Sequence, residues 1–430
     1  MVGEQRISPS FSGTNHQSVR RSNRAAIFRA LHALAPIARV DLARQSGLNP
    51  GTVTNIIDEL LESGLVRETG HITNASLQRR KAGRRPVNLE VNPDARFAVG
   101  IDLARNAVSG SVVNLAGDTL TSVSEPTGAL VSGAVIEQVV RVAREAIARV
   151  PEPKRQWIVG TGVGAPGALS FRSGRFQPPP SYGDWKEIDL QREIENAIGL
   201  STTVDNNANT AALAELWFGA GAGLQNFALL NLGTGVGTGL VLDGELYRGE
   251  HDLAGEIGHV SIAMDGPRCA CGNSGCLEMY VSVPRVLAAA WAAMETGEPT
   301  LLRETSSAHG LTLEQLIEAA EAEDSLALRV LNDVARFLAV GIVNIINTLD
   351  PNVVFIGREL AAAGDILLDP VREEVRRRVL PVLRSTVRIE AATLPNAPVV
   401  GAAVLALQKF FAAPLAATDG VLSAPQELKA

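Results

Sequence analysis

The sequence predicts a small winged helix-turn-helix head followed by a larger body of two α/β lobes. Three observations predict it. A net positive charge is confined to the first ninety residues, that segment carries helix–turn–helix punctuation, and strand-then-glycine patterns start afresh at Arg96 and again at Phe227.

Residues 1–90 hold 13 Lys/Arg against 7 Asp/Glu, and the rest of the chain holds 26 against 39. A basic head on an acidic body points only the head toward a polyanion. A chain of 430 residues exceeds what one hydrophobic core usually serves. A hydrophobic content of 46% with 20% charge excludes a disordered or membrane-embedded class. The longest apolar runs are broken by charge or glycine well short of a membrane span. The N-terminus is rich in Ser and Arg and has no apolar segment of the secretory kind. Together with clustered cysteines, that favours a reducing cytoplasm.

Residues 1–22 are polar and without periodicity, which reads as a flexible tail. From Asn23 the pattern turns helical, with Ile27, Leu31 and Leu34 on one face and Pro36 beyond its end. Val40, Leu42 and Ala43 begin a second helix that stops at Gly47. Asn49 is placed as N-cap and Pro50 at the first position of a third helix, which turns Val53, Ile56, Ile57, Leu60 and Leu61 inward. Its outward residues, Gly51, Thr52, Thr54 and Asn55, together with Asn49, are small enough to approach base edges or phosphates in a major groove. A wing follows, with Arg79, Arg80, Lys81, Arg84 and Arg85 along its second half. Arg84 and Arg85, on an extended backbone fixed by Pro86, suit a narrow minor groove. A helical protein-interaction module with a solvated basic loop is the alternative. Turn chemistry, position and charge agree better with DNA. The head spans 23–90.

The body opens with a buried strand from Phe97 to Asp102 and a hairpin partner ending before Gly117-Asp118. A helix covers 135–150. A strand over 157–163 delivers Gly164-Ala165-Pro166-Gly167 as a tight turn. Another strand ends in Asn206-Asn207-Ala208-Asn209, with a helix over 210–219. The second lobe begins with the strand 227–232 and runs into the glycines of 233–239, whose backbone N–H groups could surround an anion. Two helices fill 311–349, a strand covers 353–357, and a helix over 399–411 closes the fold. The lobes are bounded at 91–215 and 216–394; the C-terminal helix, about 395–412, completes the first, and 413–430 form a second flexible tail.

All three cysteines, Cys269, Cys271 and Cys276, lie within eight residues, and His259 precedes the first by ten. One His and three Cys make a tetrahedral set suited to a closed, structural Zn²⁺. A thiol cluster, or one disulfide with a free cysteine, is the other arrangement the spacing allows. Three thiols so close beside a histidine favour the metal.

The segment Leu253-x-x-Gly255-Glu256-x-Gly258-His259, followed by Cys269-x-Cys271-Gly272-x-x-Gly275-Cys276-Leu277-Glu278, resembles the signature of the ROK family of repressors and sugar kinases. Residues 96–411 resemble that family's domain throughout, and the head resembles that of its transcription regulators. The resemblance implies an actin/hexokinase-like (ribonuclease H-like) fold of two α/β lobes around a cleft. It implies zinc on His259, Cys269, Cys271 and Cys276, and sugar hydroxyls bound by Asn206, Glu256, His259 and Glu278. Gly164, Ala165, Pro166 and Gly167 correspond to the turn at the sugar's edge. Glu256 and Glu278 could instead serve only the metal loop.

Two departures bear on catalysis. The family's kinases have Asn-Asp-Ala-Asn where this chain has Asn206-Asn207-Ala208-Asn209, and the amide of Asn207 is no general base although it can still bind a hydroxyl. They have Asp-x-Gly-Gly-Thr where this chain has Asp102-Leu103-Ala104-Arg105-Asn106, with side chains where backbone approaches phosphate. Arg358 also replaces a glycine in Ile356-Gly357-Arg358, and Ser181 stands where an Asn is usual in Pro180-Ser181-Tyr182-Gly183-Asp184-Trp185. No catalytic residue is expected. The expectation is a sugar- or sugar-phosphate-responsive regulator, a repressor of carbohydrate genes that binds double-stranded operator DNA as a homodimer or homotetramer and makes no membrane contact. A DNA-binding sugar kinase and a regulator governed by a protein partner are the alternatives.

Overall fold

In a computed structural model, residues 16–71, 87–128, 132–177, 188–305 and 310–413 are described. They fall into two compact units divided after Val91, with the residues from Gln408 grouped with the first.

The first unit is built on α1 (His16–Leu34), β1 (Ile37–Ala38), α2 (Arg39–Ser46), α3 (Pro50–Glu62), β2 (Val66–His71) and β3 (Val87–Val91). The strands form an antiparallel sheet in the order β1-β3-β2. Ile27, Phe28, Leu31, Leu42, Val53, Ile57 and Leu60 make its core. Gly47, at φ 68°, ends α2 in the left-handed region where a Cβ is disfavoured. Asn49 caps α3, its Oδ1 accepting from the Gly51 N–H at 2.8 Å, with Pro50 at the first helical position. Leu61 is only half-buried. The first helix begins at His16 rather than Asn23. Its early turns lack an apolar stripe, so periodicity misses them, and Arg20 and Arg24 instead reach Glu59 on α3 as ion pairs. The wing's basic residues Arg79, Arg80, Lys81, Arg84 and Arg85 lie outside the described residues.

The first lobe of the second unit comprises β4 (Phe97–Leu103), β5 (Ala107–Asn114), β6 (Thr119–Pro126), α4 (Ser132–Ala148), α5 (Glu152–Arg155), β7 (Ile158–Ala165), β8 (Ala168–Leu169), β9 (Arg175–Gln177), β10 (Ile188–Asp189), α6 (Leu190–Ile198), β11 (Thr202–Asn206) and α7 (Asn207–Phe218). Its main sheet has the order β11-β7-β4-β5-β6. The second lobe comprises β12 (Phe227–Leu232), β13 (Val236–Leu242), β14 (Glu245–Tyr247), α8 (Glu278–Val281), α9 (Val283–Glu295), α10 (Leu302–Thr305), α11 (Leu313–Glu321), α12 (Ser325–Leu349), β15 (Val353–Gly357), α13 (Gly364–Arg378) and β16 (Arg388–Ala391). Its sheet runs β14-β13-β12-β15-β16. Each sheet is thus an antiparallel three-strand meander extended by two parallel strands, the same plan twice.

Between them lies α7, buried along nearly its whole length. It begins at Asn207, three residues before the sequence expectation, because a helix apolar on every side shows no stripe to mark its start. Of the run 233–239, only Gly233, Thr234 and Gly235 form a turn, and the rest is strand. Gly237 and Gly239 are paired in the β12–β13 ladder, and their missing Cβ atoms make room for α7. A Cβ at Gly239 would stand 2.4 Å from Ala212 Cβ and 2.6 Å from Ala208 O. The last helix among the described residues, α14 (Ala397–Ala412), lies equally close to the first sheet: a Cβ at Gly162 would meet Ala402 O at 1.7 Å. Its C-terminal residues belong with the first unit, where the Phe28 and Phe411 rings stand 4.3 Å apart and Arg24 donates to Phe411 O at 2.9 Å.

Candidate functional site

Pro166, Gly167, Asn206, Asn207, Glu256, His259 and Glu278 all line one cavity of about 440 Å³ between the two sheets of the body. Gly164 and Ala165, the other half of the expected turn, do not line it. They are the last residues of β7, and a Cβ at Gly164 would crowd the Thr210 hydroxyl at 2.8 Å.

Asn206 ends β11 and caps α7. Its Oδ1 accepts from the Ala208 N–H at 2.8 Å, and its Nδ2 donates to Gly167 O at 3.1 Å. That one side chain sets both the helix start and the turn opposite. Asn207 stands close enough to Asp102 to favour that carboxyl's charged form, against the burial that pushes it upward. Glu278, the first residue of α8, accepts from the Val236 N–H at 2.9 Å, which orients one oxygen and leaves the other to the cavity. The Glu256 carboxyl is pushed above its ordinary range, first by burial, with Glu278 adding to the shift and His259 opposing it. Two carboxyls on the wall of one cavity supply oxygens at which neighbouring hydroxyls can bond.

Polar ties across the cleft were not legible in the sequence. Asp205 accepts from Arg248 Nε at 2.8 Å, and that guanidinium lies 3.8 Å from the Phe171 ring centre. Asp252, at φ 58°, accepts from the Ser170 hydroxyl at 3.2 Å. Arg358 donates to Asp102 at 3.1 Å. The partners lie 43, 82 and 256 residues apart, so spacing carries no signal for them. The segment from Pro180 to Trp185 lies outside the described residues.

His259 Nδ1 and the sulfurs of Cys269, Cys271 and Cys276 all lie within 4.8 Å of one another. The His259 Nδ1 to Cys269 Sγ and Cys271 Sγ to Cys276 Sγ distances are both 3.7 Å. A tetrahedron with metal–sulfur bonds near 2.3 Å has edges of about 3.8 Å, so the donor set fits a metal such as zinc. Without a cation, burial and the neighbouring thiols push Cys276 up to about 12. Gly272 and Gly275, at φ 95° and 67°, supply the turns that fold the loop back, and bridges join Ser261 to Cys276 and Arg268 to Ser274. With Nδ1 given to the cluster, Nε2 is the nitrogen His259 has left for the cavity.

On the head, Asn49, Gly51, Thr54 and Asn55 are exposed and Thr52 is half-exposed. They form the outer face at the start of α3, although the Asn49 oxygen is already engaged as the cap.

The profile described as ROK family matches residues 98–409, and one described as winged helix-turn-helix DNA-binding matches residues 21–67. A xylose repressor from Caldicellulosiruptor bescii is 28% identical over 390 residues, covering 90% of this chain and 95% of its own. A glucokinase from Halalkalibacterium halodurans is 33% identical over 317 residues, covering 73% of this chain and 96% of its own. Among solved structures, a ROK family transcriptional regulator described as a homolog of the E. coli MLC protein aligns with TM-score 0.74 at 27% identity. That alignment covers 92% of this chain and 97% of that one.

Proposed function

Since the chain belongs to the ROK family and carries a winged helix-turn-helix ahead of the family domain, we propose that it is a transcriptional repressor of carbohydrate genes. The head binds operator DNA, and a sugar or sugar derivative in the body's cleft is the effector. The observation that carries the proposal is the extent of the likeness. The xylose repressor and the solved regulator match head and body together, whereas the glucokinase matches a share that fits the body alone.

In this reading Glu256, Glu278, His259 and the Asn206–Gly167 corner hold the sugar hydroxyls. Zinc on His259, Cys269, Cys271 and Cys276 is structural and pins the loop between Glu256 and Glu278. Thr52, Thr54 and Asn55 meet base edges, with Gly51 permitting close approach. The cleft is catalytically inactive, because Asn207 offers no base and Arg358 occupies the counter-charge of Asp102. Regulation requires that the sugar bind one state of the protein more tightly than the other. The protein acts in the cytoplasm as a homodimer or homotetramer on a palindromic operator.

The test is a mobility shift of the chain's own upstream DNA, with and without monosaccharides and their phosphates. Release of DNA by one sugar supports repression. Tighter binding makes the protein an activator. ATP-dependent phosphorylation of that sugar overturns the inactive cleft in favour of a DNA-binding kinase, and indifference to every sugar favours control by a protein partner.

A further inference from the structure

Two cavities lie between the sheets of the body, and a single charged side chain stands in the walls of both. The front cavity is the one lined by Asn206, Glu256 and Glu278. A rear cavity of about 510 Å³ is lined by Gly357, Glu359 and the segment 392–399 that leads into α14. Ala104, Asn231 and Arg358 line both. Of these three, Arg358 alone reaches across from one sheet to the other. It follows the last residue of β15, and its Nη2 donates to Asp102 Oδ2 at 3.1 Å, near the end of β4. Both side chains are nearly buried, at 16% and 9% exposure. Glu359 holds the same guanidinium from the other side, 3.3 Å from Nε. The Arg358 backbone sits at φ 68°, a left-handed conformation that a side-chain-bearing residue keeps only where its surroundings fix it.

We infer that Arg358, clasped by Asp102, is a partition that divides the cleft into two chambers and sets the length of ligand the front chamber accepts. With the guanidinium in place, a ligand held by Glu256 and Glu278 cannot run through to the rear. The front chamber then selects a single sugar unit, and nothing lodged behind the partition touches it. The ligand class rests on the sugar reading of the front chamber; the partition itself does not.

The test removes both members together, Arg358→Ala with Asp102→Asn, because deleting one alone strands a buried charge. Arg358→Lys is the conservative control. Arg358→Gly with Asp102→Asn, in which glycine suits the left-handed backbone, stands in if the first double variant does not fold. Full-length proteins are titrated calorimetrically with D-xylose, D-glucose, xylobiose and cellobiose. The wild type and Arg358→Lys are expected to bind a monosaccharide and to disfavour its disaccharide by roughly tenfold or more. The opened variant should keep monosaccharide affinity within about threefold and bind the disaccharide roughly tenfold better than the wild type does. A folded, opened variant that binds the monosaccharide and gains nothing for the disaccharide overturns the proposal. Its ligand-free crystal structure decides the same point without sugar: one continuous chamber supports the partition, and two separate chambers overturn it. If none of the proteins binds a sugar, the sugar reading alone fails, and the crystal structure still judges the partition.

Discussion

Asn207 lines the cavity, and an amide accepts no proton at neutral pH, so that position cannot deprotonate a sugar hydroxyl. Restoring the base is not expected to restore a reaction, because Arg358 would still neutralise Asp102. Asn207→Asp is therefore expected to show no sugar-dependent ADP formation in a coupled assay; measurable turnover would refute the inactive cleft. At the metal cluster, Cys271→Ser should lower the zinc content from about one ion per chain and lower the melting temperature. Equal zinc in mutant and wild type by plasma mass spectrometry would remove the metal assignment. The cluster was legible because its four donors lie close in sequence and share one loop. The role of Arg358 was not. Its departure from the family pattern is visible in the sequence, but its partner is 256 residues away, and only the pairing of the two sheets brings them together.

Helix starts were readable where a cap or an apolar stripe marks them and obscure elsewhere. Asp324 caps α12, its oxygens accepting from the Ala327 N–H at 2.9 Å and the Leu301 N–H at 2.8 Å. Asp324→Ala is expected to cost about 1–2 kcal/mol in chemical denaturation, while Asp324→Asn retains most of the cap. Burial pushes the Asp324 carboxyl upward, but the donors at Ala327, Leu301 and Thr300 outweigh it and hold the carboxyl below its ordinary range. Its contribution is present above the unfolded value, near pH ~4, and is lost as pH falls through the lower folded value. The wild type should therefore lose more stability than Asp324→Ala across that acid window. Gly239→Ala probes the packing of β13 on α7, and its added methyl should cost about 1–3 kcal/mol. The edge strand β6 went unread because one of its two buried positions is Thr121, which leaves Val123 as its one buried apolar residue, and α13 because its outer face is almost wholly charged and Pro370 interrupts it.

For the molecule as a whole, the division of charge announced the division of labour, since only the head is basic. Operator affinity is expected to fall steeply with salt, with a log–log slope near −0.9 for each phosphate contacted. Asn55→Ala should weaken the operator complex by roughly tenfold while leaving non-specific DNA binding nearly unchanged; equal losses on both DNAs would move Asn55 off the bases. The doubled sheet plan was half legible, because strands show themselves by apolar runs but their order depends on contacts far apart in the chain. Glu215 makes the point physically. It is wholly buried near the end of α7, and its two oxygens accept four hydrogen bonds, from the Ala220, Thr393 and Leu394 N–H groups and the Thr393 hydroxyl. It rivets α7 to the segment that leads into α14. The helix whose cap touches the cavity is therefore a strut, clamped at its far end, and a push on Asn206 has little slack in which to dissipate before it reaches the segment leading into α14.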